Sequence, residues 1–136
     1  MNSNDIRSQA MSVLKAKSIF YMATVDNGSP RVRPMTLLCA DGFRIWTASH
    51  KETAKMKEIA QHNETEACFL DEKNRQVRIL GTVKVYEDEK TWANLPCPPE
   101  GIPQIEDPNY VLLLIEPKLV RFVNDWSMDY KIIPIE

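Results

Sequence analysis

The chain has 136 residues, 43% apolar and 26% charged, the balance of one globular domain with one core. Its formal net charge is −2, with Lys and Arg spread along the chain, which argues against a general electrostatic grip on nucleic acid or an anionic membrane. No apolar run approaches the roughly 18 residues that span a bilayer, and the N-terminus lacks the apolar core of a signal peptide, so a cytoplasmic protein is expected.

Ser3 or Asn4 can cap a first helix, in which Ile6, Ala10, Val13 and Leu14 recur at helical spacing. Ile19 to Val25 is rich in aromatic and branched residues and predicts a strand. Asp26-Asn27-Gly28-Ser29 supplies the positive φ angles of a tight hairpin. Arg31 to Cys39 is the return strand, and Pro34 inside it requires an edge or a bulge. Asp41-Gly42 makes the next turn, and Phe43 to Ala48 is the third strand. Ser49 to Glu52 fits a capping box, followed by a helix to about His62 with Met56, Ile59 and Ala60 toward the core. Glu66 to Leu70 is a strand and Asp71 to Asn74 a polar turn.

Gln76 to Tyr86 alternates most clearly. Val77, Ile79, Val83 and Val85 fall on one face, and Gly81 in the middle marks a bulge or a close backbone approach. Glu87 to Asn94 reads as a short helix, after which Pro96, Pro98, Pro99, Pro103 and Pro108 forbid regular structure. Tyr110 to Ile115 and Leu119 to Val123 are strands around a Glu116-Pro117 turn, and Tyr130 to Ile135 closes the chain. The expected fold is a single domain over residues 1–136, mainly β (α+β), its short antiparallel strands forming a closed or partly closed barrel.

Cys39, Cys68 and Cys97 lack paired spacing and read as small buried apolar residues. No CxxC occurs, and His50 and His62 have no Cys or Glu partner at ligand spacing, so no metal site is expected. The stretch from Thr47 to Lys55 combines a strand end, a cap and a helix start, a place where free amides favour an anion. In a helix, Lys51 and Lys55 would share one face, against the helix dipole, and Thr47, Ser49 and Thr53 would add hydroxyls. An anionic ligand resolves that conflict, whereas solvated lysines behind a plain cap are the commoner reading of the spacing alone. Arg31-Val32-Arg33-Pro34-Met35-Thr36 is the second unusual stretch. It suits either a flat heteroaromatic ligand on exposed backbone or an edge strand guarded by charge.

Together these pieces resemble the pyridoxamine 5'-phosphate oxidase-like family of FMN-binding split barrels. The matching residues are Phe20-Tyr21-Met22-Ala23-Thr24-Val25, Pro30-Arg31-Val32-Arg33-Pro34, Trp46-Thr47 with Lys51 and Lys55, and Arg75-Gln76-Val77-Arg78-Ile79-Leu80-Gly81. The chain is most similar to the small bacterial members labelled general stress proteins. The resemblance implies a six-stranded antiparallel split β-barrel of Greek-key type with flanking helices, and a homodimer holding FMN at its interface. It implies that Arg33, Pro34, Met35 and Thr36 lie along the flavin ring. Trp46, Thr47, Lys51, Thr53 and Lys55 would lie near the ribityl phosphate, joined by the Ser49 hydroxyl already singled out from the residues, and Gln76 at the ring edge. Trp126 would reach the site of the other subunit. Leu38 stands where true pyridoxamine phosphate oxidases carry a lysine, and their longer C-terminal region has no counterpart. The resemblance therefore implies the cofactor rather than that reaction.

No residue stands out as a general acid or base; Cys39 and His50 are the candidates to approach ring or phosphate. The leading expectation is an FMN-dependent oxidoreductase of unknown small-molecule substrate. The alternatives are a non-catalytic flavin-binding stress protein, a barrel binding deazaflavin or haem, and an oligonucleotide-binding barrel. Acidic balance and the lack of an aromatic-basic strand face weigh against the last.

Overall fold

The computed structural model describes residues 3–97, 107–125 and 129–135. The elements run α1 (Ser3–Val13), β1 (Ile19–Asp26), β2 (Ser29–Thr36), β3 (Cys39–Asp41), β4 (Arg44–His50), α2 (Ala54–Gln61), β5 (Glu64–Leu70), β6 (Gln76–Tyr86), α3 (Glu89–Ala93), β7 (Tyr110–Val123) and β8 (Lys131–Ile133). The side chains of Ser3 and Asn4, and residues Pro98, Pro99, Pro103 and Trp126, lie outside the described set.

One antiparallel sheet runs in the order β2-β1-β5-β6-β7-β4-β3, with β8 paired to β7. The described sheet thus has eight strands rather than six. The β1–β2 hairpin turns on Asn27 and Gly28 at φ 49° and 84°, the two positive angles that match the twist of paired strands. Pro34 lies in β2, an end strand of the sheet order, where its missing amide breaks no inner ladder.

The return segment does not continue to Cys39 as one strand. It breaks after Thr36, and the corner closes the sheet on itself. Leu37 donates its amide to Ser18 O at 2.9 Å and accepts from the Lys17 amide at 2.7 Å. Leu38 donates to Trp46 O at 2.9 Å, and the Thr47 hydroxyl donates to Thr36 O at 2.7 Å. The start of β1, the end of β2 and the middle of β4 are thereby fastened together.

The barrel interior holds Phe20, Met22, Leu37, Ile45, Phe69 and Ile79 with Leu113 and Phe122. Phe20 and Phe69 stack with ring centroids 4.7 Å apart. α1 contributes Ala10 and Val13 to this core, packing on β6 and β8. A second cluster lies apart from it: Leu38, Cys39, Trp46, Leu112 and Leu114, with Leu95 after α3. The continuous apolar run 111–115 of β7 is buried throughout, as expected of a strand covered on two sides.

Several expectations are corrected. β7 is one strand through Glu116-Pro117: Gly81 faces Pro117 while Leu80 faces Leu119, so a bulge replaces the predicted turn. Val85 shares the inward alternation but is 40% exposed, because the last β5–β6 pair is Glu64 with Thr82. Ser49 caps no helix. It continues β4, paired with Val111, and α2 begins only after Thr53, whose side chain makes no cap bond. On α2 the buried residues are Ile59 and Glu58, whereas Ala60 faces outward. Cys39 and Cys97 are not separate small residues; a disulfide joins them, and Cys68 stays free.

Gly81 has a steric reason. A Cβ there would collide with the Glu116 backbone carbonyl across the bulge. Gly81→Ala is expected to destabilise by about 1–3 kcal/mol, the usual cost of overpacking where backbone must move. Urea unfolding at unchanged m-value reads it; an unshifted midpoint contradicts the close approach.

Candidate functional site

The closing corner opens onto a pocket of about 510 Å³, within the size range of small-molecule sites. Its walls come from the start of β1 (Ile19), the end of β2 (Pro34, Met35, Thr36), Leu38, the end of β4 (Ala48, Ser49, His50), Tyr110, and Thr53 and Lys55 around the start of α2. One side is therefore apolar and the other carries hydroxyls and one ammonium.

The polar side is tied together locally. Ser49 Oγ lies 3.1 Å from Thr53 Oγ1, which donates to His50 O at 3.1 Å. The Lys55 ammonium donates to Thr53 Oγ1 at 3.1 Å. Thr53 spends its hydroxyl here, so the first amides of α2 have no side-chain cap. Lys55 forms no ion pair among the described residues. Burial holds its pKa below the ordinary lysine value, the nearby Arg33 charge adds to that, and Glu58 opposes it. His50 packs edge-on against Tyr110, ring centroids 5.3 Å apart, and its Nδ1 accepts the Glu52 amide at 3.2 Å.

Behind Lys55 sits a buried charge network that the sequence analysis missed. Glu58 accepts the Thr24 hydroxyl at 2.6 Å and Arg33 Nη2 at 3.0 Å. Arg33 Nη1 donates to Thr24 Oγ1 at 2.8 Å and Met22 O at 3.2 Å. The Thr24 hydrogen bond, with the Arg33 bond and charge, holds the Glu58 carboxyl below its usual range against the opposing effect of burial. The signal in sequence was the Lys55–Glu58 spacing of three on one helix, which puts both on one face.

Of the residues expected at the site, Pro34, Met35, Thr36, Ser49, Thr53 and Lys55 meet at this pocket. Arg33, Trp46, Thr47, Lys51 and Gln76 are not among the lining residues. Arg33 turns to Glu58 instead of the pocket. Lys51 sits in a turn, because the Lys51 amide bonds Asn109 O and extends the β4–β7 pairing past the expected helix start. Its ammonium lies 3.8 Å from Glu87. Trp46 is buried in the second cluster, and Thr47 bonds the corner as described. Gln76 starts β6 between Leu70 and Val123, and accepts from the Tyr130 hydroxyl at 3.4 Å. Trp126 lies outside the described residues. Ile19, Leu38, Ala48 and Tyr110 join the lining unforeseen; Tyr110 does so through the His50–Tyr110 pairing, a register no local pattern reveals. Among the described residues no cluster of potential metal ligands occurs.

The family profile described as "Pyridoxamine 5'-phosphate oxidase" matches residues 6–124. The chain belongs to that family. It is 31% identical over 133 residues to General stress protein 26 of Bacillus subtilis, covering 91% of this chain and 92% of the relative. A general stress protein 26-related structure from Clostridium acetobutylicum superposes with TM-score 0.78 at 19% identity, covering 98% and 97% of the two chains. An FMN-binding, pyridoxamine 5'-phosphate oxidase-related protein from Nostoc punctiforme superposes at 0.65 and 20% identity, covering 90% and 84%. The same fold occurs in a haem-binding protein of Mycobacterium smegmatis (TM-score 0.75, 13% identity, 93% and 57% covered) and an F420 reductase (0.63, 18%, 80% and 93%).

The network gives a pH prediction. A carboxylate whose folded pKa is depressed contributes stability above its unfolded value, near 4.5, and loses it as pH falls through the folded value. Glu58→Gln is therefore expected to be less stable than wild type at pH 7, with the gap closing below pH 4.5. Urea midpoints at pH 7 and pH 3 measure this; a constant gap contradicts it.

Proposed function

We propose that the pocket binds FMN and that the protein is a flavin-dependent oxidoreductase of the family, acting on a small molecule not identified by its sequence. The observation that carries this is Lys55, an ammonium at the pocket wall with no ion pair among the described residues, beside α2 amides that lack a side-chain cap. A phosphate there gains a charge-assisted bond and the helix-terminal amides. The donor set therefore suits a phosphorylated cofactor. Ile19, Pro34, Met35, Leu38 and Tyr110 offer the apolar surface that a flat ring needs and that excludes water. FMN, when bound, supplies one- and two-electron transfer.

In this proposal Lys55 and the α2 amides hold the phosphate, with Thr53 orienting the ammonium. Glu58 keeps Arg33 from competing for the anion. The apolar walls position the ring. Leu38 offers no ammonium to a second phosphate, which supports a substrate other than pyridoxamine phosphate. Haem is less well served here, since His50 Nδ1 is already engaged by the Glu52 amide. Deazaflavin remains a competitor, and the absorbance spectrum of the purified protein separates it from FMN.

The assembly proposed is a homodimer. One outward row of the sheet runs Pro34, Tyr21, Cys68, Arg78, Arg121 and Ile132. Tyr21 and Ile132 are 50% and 68% exposed, and a second copy is the occupant proposed for this face. Sedimentation equilibrium is expected to give the mass of two chains; one chain's mass with flavin bound contradicts it.

Lys55→Ala is expected to weaken FMN binding about ten- to a hundredfold, the worth of one hydrogen bond to a charged group. Lys51→Ala, which removes only an exposed contact with Glu87, is expected to change it less than about threefold. FMN titration decides: equal effects from both variants, or none from Lys55→Ala, sink the phosphate assignment.

A further inference from the structure

The disulfide joins Cys39 of β3 to Cys97, at the end of the strap that follows α3, across 58 residues of chain. Their Cα atoms are 5.8 Å apart, an ordinary span for this bond. The two residues differ in burial: Cys39 is fully buried, while Cys97 is only partly covered. The bridge is part of the second apolar cluster, in which Leu95, Trp92 and Tyr86 pack with Leu38, Trp46, Leu112 and Leu114.

That cluster is also the back of the pocket. Leu38 and Ala48 belong to both. Cys39 follows Leu38 directly and pairs with Trp46, whose carbonyl accepts the Leu38 amide. The strap, the cluster and the pocket wall are thus one packed unit. Pro96 itself has no amide to bond the sheet, and among the described residues Leu95 burial and the bridge tie the strap to the sheet.

We infer that Cys39–Cys97 is a thiol–disulfide exchange site for small thiols, and that its oxidised state clamps the Leu95–Cys97 strap against the back wall of the ligand pocket. In the reducing direction, a small thiolate attacks Cys97, the less buried of the two residues, the disulfide breaks, and Cys39 leaves as a thiolate that takes a proton from solvent. A second small thiol then attacks the mixed disulfide and releases Cys97. The balance is one protein disulfide and two small thiols going to two cysteine thiols and one small disulfide; a small disulfide drives the reverse. Cys68 does not compete in this exchange. Burial raises its pKa, so little of it is thiolate near neutral pH. Opening the bridge releases the cross-link on the strap, and the backing of Leu38 and Ala48 loosens with it.

The exchange does not depend on the cofactor proposal; only the FMN readout does. The full chain is equilibrated in graded ratios of reduced to oxidised glutathione, quenched with acid, then alkylated and its thiols located by mass. Parallel samples report tryptophan emission, amide hydrogen exchange over residues 36–39 and 46–50, and FMN affinity. Cys39 and Cys97 are expected to open together and reversibly without denaturant. Tryptophan emission and amide exchange should change at the same ratio. FMN affinity should fall about fivefold, the lower end of coupling between linked sites. Cys97→Ser should hold the loosened state at every ratio, and Cys68→Ser should leave the transition in place. A bridge that never forms, that opens only on unfolding, or that opens without moving emission and exchange overturns the inference. Should FMN bind in neither state while the other readouts move together, the cofactor proposal fails and the exchange site stands.

Discussion

Two hydrogen bonds at one residue shape the candidate pocket of this chain. Leu37 donates to Ser18 and accepts from Lys17, while its neighbour Leu38 bonds the β4 backbone. The corner therefore stitches opposite ends of the sheet together. Strand ends that are far apart in the ladder order, those of β2 and β4, meet there, and the turn after β4 carries α2 to the same place. Were the corner to open, the pocket would lose three of its walls while most of the barrel core would survive. Fold and site share this one constraint.

A second principle is the division of labour between two cations. Arg33 and Lys55 lie close enough for Arg33 to depress the lysine's pKa. Left alone, they would repel and compete for one anion. Glu58 and Thr24 resolve this by engaging Arg33, so Arg33 serves structure and Lys55 stays at the wall without an ion pair among the described residues. A half-buried ammonium without a carboxylate partner is costly in a resting protein. An anionic ligand is the simplest way for that cost to be recovered, which is why the proposal rests on Lys55 rather than on family membership alone.

What was legible in the sequence was local. The bounds of β6 match those read from the alternation Gln76 to Tyr86, and Asn27-Gly28 announced its hairpin. Gly81 was rightly suspected of a close backbone approach. The Ser49-to-Glu52 box misled because it is equally a strand end. Pairing with β7, sixty residues away, holds Ser49 and His50 in the sheet, and with them goes the helical spacing of Lys51 and Lys55. The Glu116-Pro117 turn was misread for the same reason: a bulge opposite Gly81 absorbs the proline. The site was half legible. Pro34, Met35, Thr36, Ser49, Thr53 and Lys55 came from cap, strand and family pattern, whereas Tyr110, Glu58 and the Cys39–Cys97 link depend on contacts that only the closed barrel creates.

The central claim is that a phosphate belongs at Lys55. A crystal structure of the protein grown with FMN tests it most directly. The account predicts the phosphate within hydrogen-bond distance of Lys55 Nζ and the α2 amides, with the ring against Pro34, Met35 and Thr36. Density for FMN anywhere else on the barrel, or a phosphate held by Lys51 with Lys55 turned away, would contradict it.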